Sequence, residues 1–299
     1  METKVITKED SKFPELLKQI PDAPKQLYYK GEWDEGLFEN CLAVVGSRRM
    51  TQYGKRVTEQ IVGEVAGAGV TIVSGFMYGV DATAHKAALA FGGKTIAVMP
   101  CGIERIHPEH QKDLYEKILG TGPAKSPDGD RGASGLVVSE WNGDSMPQLW
   151  TYPRRNRIVA GLSKATLVVE AGLDSGSLIT AELAKKFQRK LFAVPGPITS
   201  EVSRGTGKLL QEGASLVSSA GDILKWYNVD KNYNVYKTYN NYKRGGVEQK
   251  IMEILQREAL EVDMLARTLA IPAAELGTRL SLMELQGLIG QESGKYYVN

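Results

Sequence analysis

The chain has 299 residues, which allows one large domain and one small one. Its 37 basic and 35 acidic residues almost cancel, so overall charge excludes no class of partner and any electrostatic footprint is local. No run nears the ~20 apolar residues of a membrane span, and Met1-Glu-Thr-Lys-Val lacks a secretory signal's apolar core, so a cytoplasmic location without membrane contact is expected.

Residues 1–40 read as a leader packing on the main domain. A helical turn or two at Phe13-Pro-Glu-Leu-Leu precedes an extended segment, Leu27–Lys30, bounded by Pro21, Pro24 and Gly31. From 41 to 227 short apolar runs recur: Leu42–Val45, Val70–Val73, Thr95–Met99, Leu136–Val138, Thr166–Val169 and Leu191–Val194. Their length and β-branched content predict strands buried on both faces. Helical patterns separate most of them, at Tyr53–Ala66, Val80–Phe91, Pro108–Leu119, Pro153–Leu162 and Ser177–Phe187. This alternation predicts an α/β, doubly wound, Rossmann-like and mostly parallel sheet. Residues 121–134, rich in Gly, Pro, Asp and Ser, read as a mobile surface loop.

Residues 228–246 are a linker without apolar periodicity, where Lys231, Lys237, Lys243 and Arg244 face Asp230 for a net charge of +3. Residues 247–299 form a second domain. Helical spacing at Ile251, Ile254 and Leu255, a short helix at Val262–Leu269 and a third over Leu276–Leu285 lead into a hairpin turning at Ser293-Gly294. Three helices and a hairpin predict a small C-terminal winged-helix domain.

The segment Tyr152-Pro-Arg-Arg-Asn-Arg157 stands out. Proline suits the first helical turn, so Arg154, Arg155, Asn156 and Arg157 are predicted at a helix N-terminus, where the dipole is already positive. Cations tolerated there imply a bound anion, phosphate above all. Open parallel sheets bind ligands beyond the C-terminal strand ends. The residues predicted there are Gly46, Ser47, Arg48, Arg49, Ser74, Gly75 and the turn Ser175-Gly176-Ser177, in which Ser177 can cap its helix.

Other chemistries find little support. Gly46-Ser-Arg-Arg is not GxGxxG, which argues against a dinucleotide coenzyme. Gly93-Lys94-Thr95 follows a helix and precedes a strand, the wrong order for a P-loop. Cys41 and Cys101 fit no metal-ligand spacing and suit a reducing compartment, and the histidines at 85, 107 and 110 form no HExxH. Asp81 with His85 near Ser74 lacks a GxSxG elbow, and Glu140 with Glu170 as a catalytic pair is weaker than a structural reading of each. No cofactor and no catalytic residue are expected.

The quoted motifs, with Ser74-Gly-Phe-Met-Tyr-Gly-Val-Asp-Ala-Thr-Ala-His85, Ile158-Val-Ala-Gly-Leu-Ser163, Ser175-Gly-Ser-Leu-Ile-Thr-Ala181 and Phe192-Ala-Val-Pro-Gly196, closely resemble the DprA/Smf family. The likeness runs from about residue 10 to 225. It implies a non-enzymatic protein that binds and protects single-stranded DNA in natural transformation, loads RecA recombinase, and dimerises through the Rossmann domain. Phe76-Met-Tyr78 departs from the small residues that members often carry between the two glycines. Two rival readings remain: a nucleotide-binding sensor, and a nucleotide-cleaving enzyme of the related lysine-decarboxylase-like group. The latter's Pro-Gly-Gly-x-Gly-Thr segment is replaced here by Asp174-Ser-Gly-Ser. Replacing Arg48 or Arg155 is expected to weaken binding to oligo-dT without unfolding the domain.

The second domain carries five basic residues (Lys250, Arg257, Arg267, Arg279, Lys295) and eight acidic ones (Glu248, Glu253, Glu258, Glu261, Asp263, Glu275, Glu284, Glu292), a net charge of −3. Duplex readout needs a basic face. This domain is therefore expected to contact protein. A gel shift of residues 246–299 on duplex DNA at low salt is expected to show no tight complex.

Overall fold

A computed structural model describes residues 1–121, 135–229, 247–255, 257–285, 289–292 and 294–298. The chain divides into two compact units, Met1–Val235 and Tyr236–Asn299. Most of the loop expected at 121–134, most of the linker and the hairpin's Ser293 lie outside the described residues. Among the described residues no helix is long and apolar enough to cross a membrane.

The first unit is built on a sheet of strands β1 (Lys4–Thr7), β2 (Gln26–Gly31), β3 (Cys41–Val45), β4 (Thr71–Ser74), β5 (Thr95–Gly102), β6 (Leu136–Trp141), β7 (Ala165–Val168), β8 (Lys190–Ala193) and β9 (Ser215–Leu216). Their order is β1-β2-β6-β5-β4-β3-β7-β8-β9. From β6 to β9 every pairing is parallel, while β2 joins β6 antiparallel and β1 joins β2 antiparallel. Every residue of β3, β4 and β5 is buried, which explains their unbroken apolar runs.

Alternation along β3 splits the core. Ala43 and Val45 face one apolar cluster, Leu42 and Val44 the other. The first face carries α1 (Glu15–Lys18), α5 (Thr151–Leu162), α6 (Gly176–Lys186) and α7 (Arg204–Gln211), through residues such as Leu17, Ile158, Ala181 and Leu209. The second carries α2, α3 (Val80–Ala90) and α8 (Ala220–Tyr227), where α2 runs through Gln52–Val57, a π segment Thr58–Val62 and Gly63–Gly67. A neighbouring cluster holds Leu114 and Ile118 of α4 (Lys112–Ile118).

The strand order explains this double winding. From β3 the chain steps through β4 and β5 to β6, then crosses back to β7 on the other side of β3 and steps outward to β8 and β9. The reversal opens a crevice between the C-terminal ends of β3 and β7.

The N-terminal segment is part of the sheet. Residues 4–31 do not merely pack on the main domain: β1 and β2 extend its sheet. The burial pattern of β1 is exposed, exposed, buried, intermediate, so it leaves no apolar run to read.

In the second unit α9 (Val247–Leu255), α10 (Val262–Leu269) and α11 (Ala273–Leu285) enclose Ile251, Leu255, Leu265, Leu276, Leu280 and Met283. Strands β11 (Ile289–Glu292) and β12 (Lys295–Val298) make the wing, and β10 (Leu260–Glu261) adds a third strand beside β12. This is a winged helix. The two-residue β10 was too short to read from periodicity.

Two tests of the core follow from contacts. A Cβ at Gly93 would lie 2.6 Å from the Ala66 Cβ and 2.7 Å from its carbonyl atoms, so α2 and the α3–β5 turn meet only through glycine. Gly93→Ala is expected to cost about 1–3 kcal/mol in urea unfolding. His85 is fully buried, its Nδ1 2.7 Å from Thr95 Oγ1, which itself donates to the Ile72 carbonyl at 2.8 Å. Burial lowers its pKa from 6.5 to about 3, with the Arg155 charge a smaller cause. Below its ordinary pKa only the unfolded imidazole takes up the proton, so this group's contribution falls with pH from 6.5 towards 3. Urea midpoints are expected to drop between about pH 7 and about pH 5, and less in His85→Gln.

Candidate nucleic-acid interface

A pocket of about 900 Å³ opens at the β3/β7 reversal. Gly46–Arg49 after β3 form one wall and Gly172–Ser177 after β7 the other. Tyr152, Pro153, Arg155 and Asn156 come from α5, Met77 and Asp81 from the β4 side, Glu201 and Val202 from the segment after β8, and Arg204 from the first position of α7.

Local chemistry sets these walls. Ser47 N–H donates to the Glu170 carbonyl at 2.7 Å, and Arg49 N–H donates to Ser47 Oγ at 3.0 Å, folding the arginine loop on itself. The Glu170 carboxylate accepts from Thr51 N–H at 2.8 Å and from its hydroxyl at 2.5 Å, fixing the start of α2 just behind that loop. At α6 the cap is Ser175, whose Oγ accepts from Ser177 N–H, and the two hydroxyls lie 2.7 Å apart. Ser177 was expected as the cap; it sits inside the first turn and is held by the cap.

Arg48 and Arg49 are exposed, and among the described residues neither is in an ion pair. The Arg48 guanidinium lies 5.1 Å from the Tyr152 ring centroid, a cation–π arrangement that keeps it at the rim. Arg204, also exposed, pairs with Glu201 at 3.1 Å. Tyr152 OH lies 2.9 Å from His107 Nε2, and burial lowers the His107 pKa, helped by Arg48.

The run 154–157 divides. Helix α5 begins at Thr151, so Pro153 is its third residue and the arginines lie at the end of the first turn and beyond. Arg154 Nε and Nη2 donate to the Glu140 carboxylate at 3.1 and 3.2 Å. Arg157 is buried, donates to Glu140 Oε1 at 2.5 Å and pairs with Asp22 at 3.2 Å. Neither lines the pocket. Arg155 turns inward and is only 3 % exposed. Its Nη1 donates to the carbonyls of Gly75 and Val98, and its Nε to Asn156 Oδ1 at 3.1 Å. Burial lowers its pKa to about 10 against the pull of Asp81, whose own pKa is raised by burial.

Of the predicted site residues, Gly46, Ser47, Arg48, Arg49, Arg155, Asn156, Ser175, Gly176 and Ser177 come together around the pocket. Ser74, Gly75, Arg154 and Arg157 do not. Ser74 is buried and its hydroxyl donates to the Val44 carbonyl at 2.6 Å. Gly75 lies against the Arg155 guanidinium, where any Cβ would collide. Tyr152, Asp174 and Arg204 also line the pocket and were missed. Tyr152 opens the arginine motif, and that adjacency was its available signal. Arg204 had none, because its place depends on how the loop after β8 folds back.

A doubly wound sheet with a cationic pocket at its switch point, followed by a small winged helix, defines the class. Residues 4–228 match the family model of DNA recombination-mediator protein A, and residues 243–295 match that of the DprA winged helix domain. The chain is 39% identical over 229 residues to the DNA processing protein DprA of Streptococcus pneumoniae, covering 73% of this chain and 76% of that protein. It is 37% identical over 296 residues to protein Smf of Escherichia coli, covering 96% and 75%. The crystal structure of Streptococcus pneumoniae DprA aligns with a TM-score of 0.66 at 37% identity, covering 75% of this chain and 74% of that one. DNA processing protein A of Helicobacter pylori, solved for its single-stranded DNA binding mode, aligns at 0.64 and 31% identity, covering 76% and 96%. The chain belongs to the DprA/Smf family.

The two kinds of arginine separate by stability. Arg155→Ala strands the Gly75 and Val98 carbonyls and leaves Asp81 buried without its cation, and is expected to cost about 3–5 kcal/mol. Arg48→Ala is expected to stay within about 0.5 kcal/mol of the parent chain. Urea unfolding of both measures this. The expectation that the substitution spares the fold is kept for exposed Arg48 and given up for Arg155, whose guanidinium is buried.

Proposed function

We propose that this chain binds single-stranded DNA in the β3/β7 pocket and delivers it to a RecA-type recombinase in natural transformation, as a homodimer and without catalysis of its own. The observation that carries the reading is the pair Arg48 and Arg49, exposed beside the pocket and outside any ion pair among the described residues. Phosphates supply the missing counter-charge. The crevice between two strand ends admits a single backbone and a splayed base, whereas a duplex is too wide to enter. The Helicobacter pylori relative supports the choice of single strands. The recombinase, the dimer and a cytoplasmic location rest on the family resemblance.

The groups that suggested hydrolysis are engaged elsewhere. Glu140 is taken by Arg154 and Arg157, Glu170 by Thr51, and the Ser74 hydroxyl by Val44. His85 is buried and held neutral. These engagements favour a binding protein over a nucleotide-cleaving enzyme. In the winged helix Arg279 lies 3.1 Å from Glu275 one turn back, so α11 offers a neutralised cation. That favours protein over duplex DNA as this domain's partner.

Salt-titrated fluorescence anisotropy tests the reading. Oligo-dT is expected to bind far more tightly than duplex, with a log–log salt slope of about −0.7 per phosphate neutralised. Arg48→Ala is expected to weaken binding and flatten that slope by about 0.7. A large thermal shift with a mononucleotide alone, or release of free base from it, would overturn the proposal in favour of a sensor or an enzyme.

A further inference from the structure

We propose that Tyr78, backed by His110, is a second base-stacking shelf that lengthens the stretch of single strand this chain holds. The proposal rests on the reading of the pocket as a single-strand site. The Tyr78 and His110 rings stack at 4.9 Å between centroids and 5° between planes. Both are at the surface, with Tyr78 42% exposed. An exposed tyrosine held flat against a second ring has already lost much of its rotamer freedom, so a base landing on it meets a preorganised face.

The backbone ties this pair to the pocket rim. Val80 N–H donates to the Ser47 carbonyl at 3.2 Å. Gly79 has φ +69°, and a Cβ there would strike the carbonyl oxygens of Ser47 and Arg48. Tyr78 is therefore fixed beside the arginine loop. Next along the rim is Arg48, which lies over Tyr152, whose hydroxyl is braced by His107. The row runs aromatic, cation, aromatic. That alternation suits a strand whose phosphates are spaced by bases with a π-face on each. Stacking does not read base edges, so the shelf adds reach and affinity without sequence preference.

The test uses the full chain and oligo-dT of about 4 and about 16 nucleotides. Arg48→Ala is expected to weaken both and to flatten the salt slope. Tyr78→Ala is expected to weaken the longer oligonucleotide by about tenfold, spare the shorter one and leave the slope unchanged, because a base and no phosphate is lost. Tyr78→Phe keeps the ring and is expected to match the parent chain. An abasic version of the longer oligonucleotide is expected to erase the difference between Tyr78→Ala and parent. If Tyr78→Ala melts early, His110→Ala is expected to show a length-dependent loss in the same direction. The shelf is overturned if the parent binds while Tyr78→Ala loses nothing on the longer oligonucleotide, or loses equally on both lengths. A parent chain that binds neither oligonucleotide overturns the pocket reading itself.

Discussion

Arg155 is the interaction on which the site depends. Its guanidinium is buried beneath the strand ends and joins α5 to the Gly75 turn after β4 and to Val98 within β5. A buried cation is tolerated when its hydrogen bonds are made and a counter-charge is near. Here two carbonyls, the Asn156 amide oxygen and the Asp81 carboxyl supply both. Gly75 is obligatory because the guanidinium occupies the space that a side chain would fill. The pillar holds α5, the Gly75 turn and β5 together beneath the pocket.

Around that pillar the arginines divide into those held in ion pairs and those outside them among the described residues. Arg154 and Arg157 share Glu140, and Arg157 also reaches Asp22 in the N-terminal segment, so these two lock α5 to β6 and to the leader. Arg48 and Arg49 sit on a loop in which Ser47 donates its N–H to the Glu170 carbonyl, while its carbonyl accepts from Val80 N–H and its hydroxyl from Arg49 N–H. Among the described residues neither guanidinium is in an ion pair. Glu170 illustrates the same economy. Its carboxylate closes the start of α2 and requires glycine at 54, where any Cβ would collide with it. A residue that sequence alone offers as a catalytic acid is thus a brace for the cationic loop.

The two units divide the electrostatics. The first gathers cations at one crevice although the whole chain is near neutral. The second is acidic and keeps Arg279 of α11 against Glu275. The winged-helix fold thus comes with an acidic composition, where duplex readout needs a basic face.

Much of the fold was legible because the central strands are buried on both faces and read as apolar runs between helical periods. Gly46–Arg49 and Ser175–Ser177 were legible as site residues because strand ends bind ligands in such sheets. The run at 154–157 announced a charged helix start, but composition cannot say which way each arginine turns. With about 100° between successive residues, Arg155 falls on the inner side and Arg154 on the outer, and the partners they meet come from β4, β5 and β6. The edge strand β1 escaped notice, and β2 was legible only as an extended segment and not as part of the sheet, because a half-exposed antiparallel edge needs no apolar run. The sequence by itself determined the alternating plan, the acidic tail domain and the supply of cations. Tertiary structure alone decided which cations stay free, because that depends on the crossing from β6 back to β7, which brings distant loops to one crevice and sends other arginines into the core.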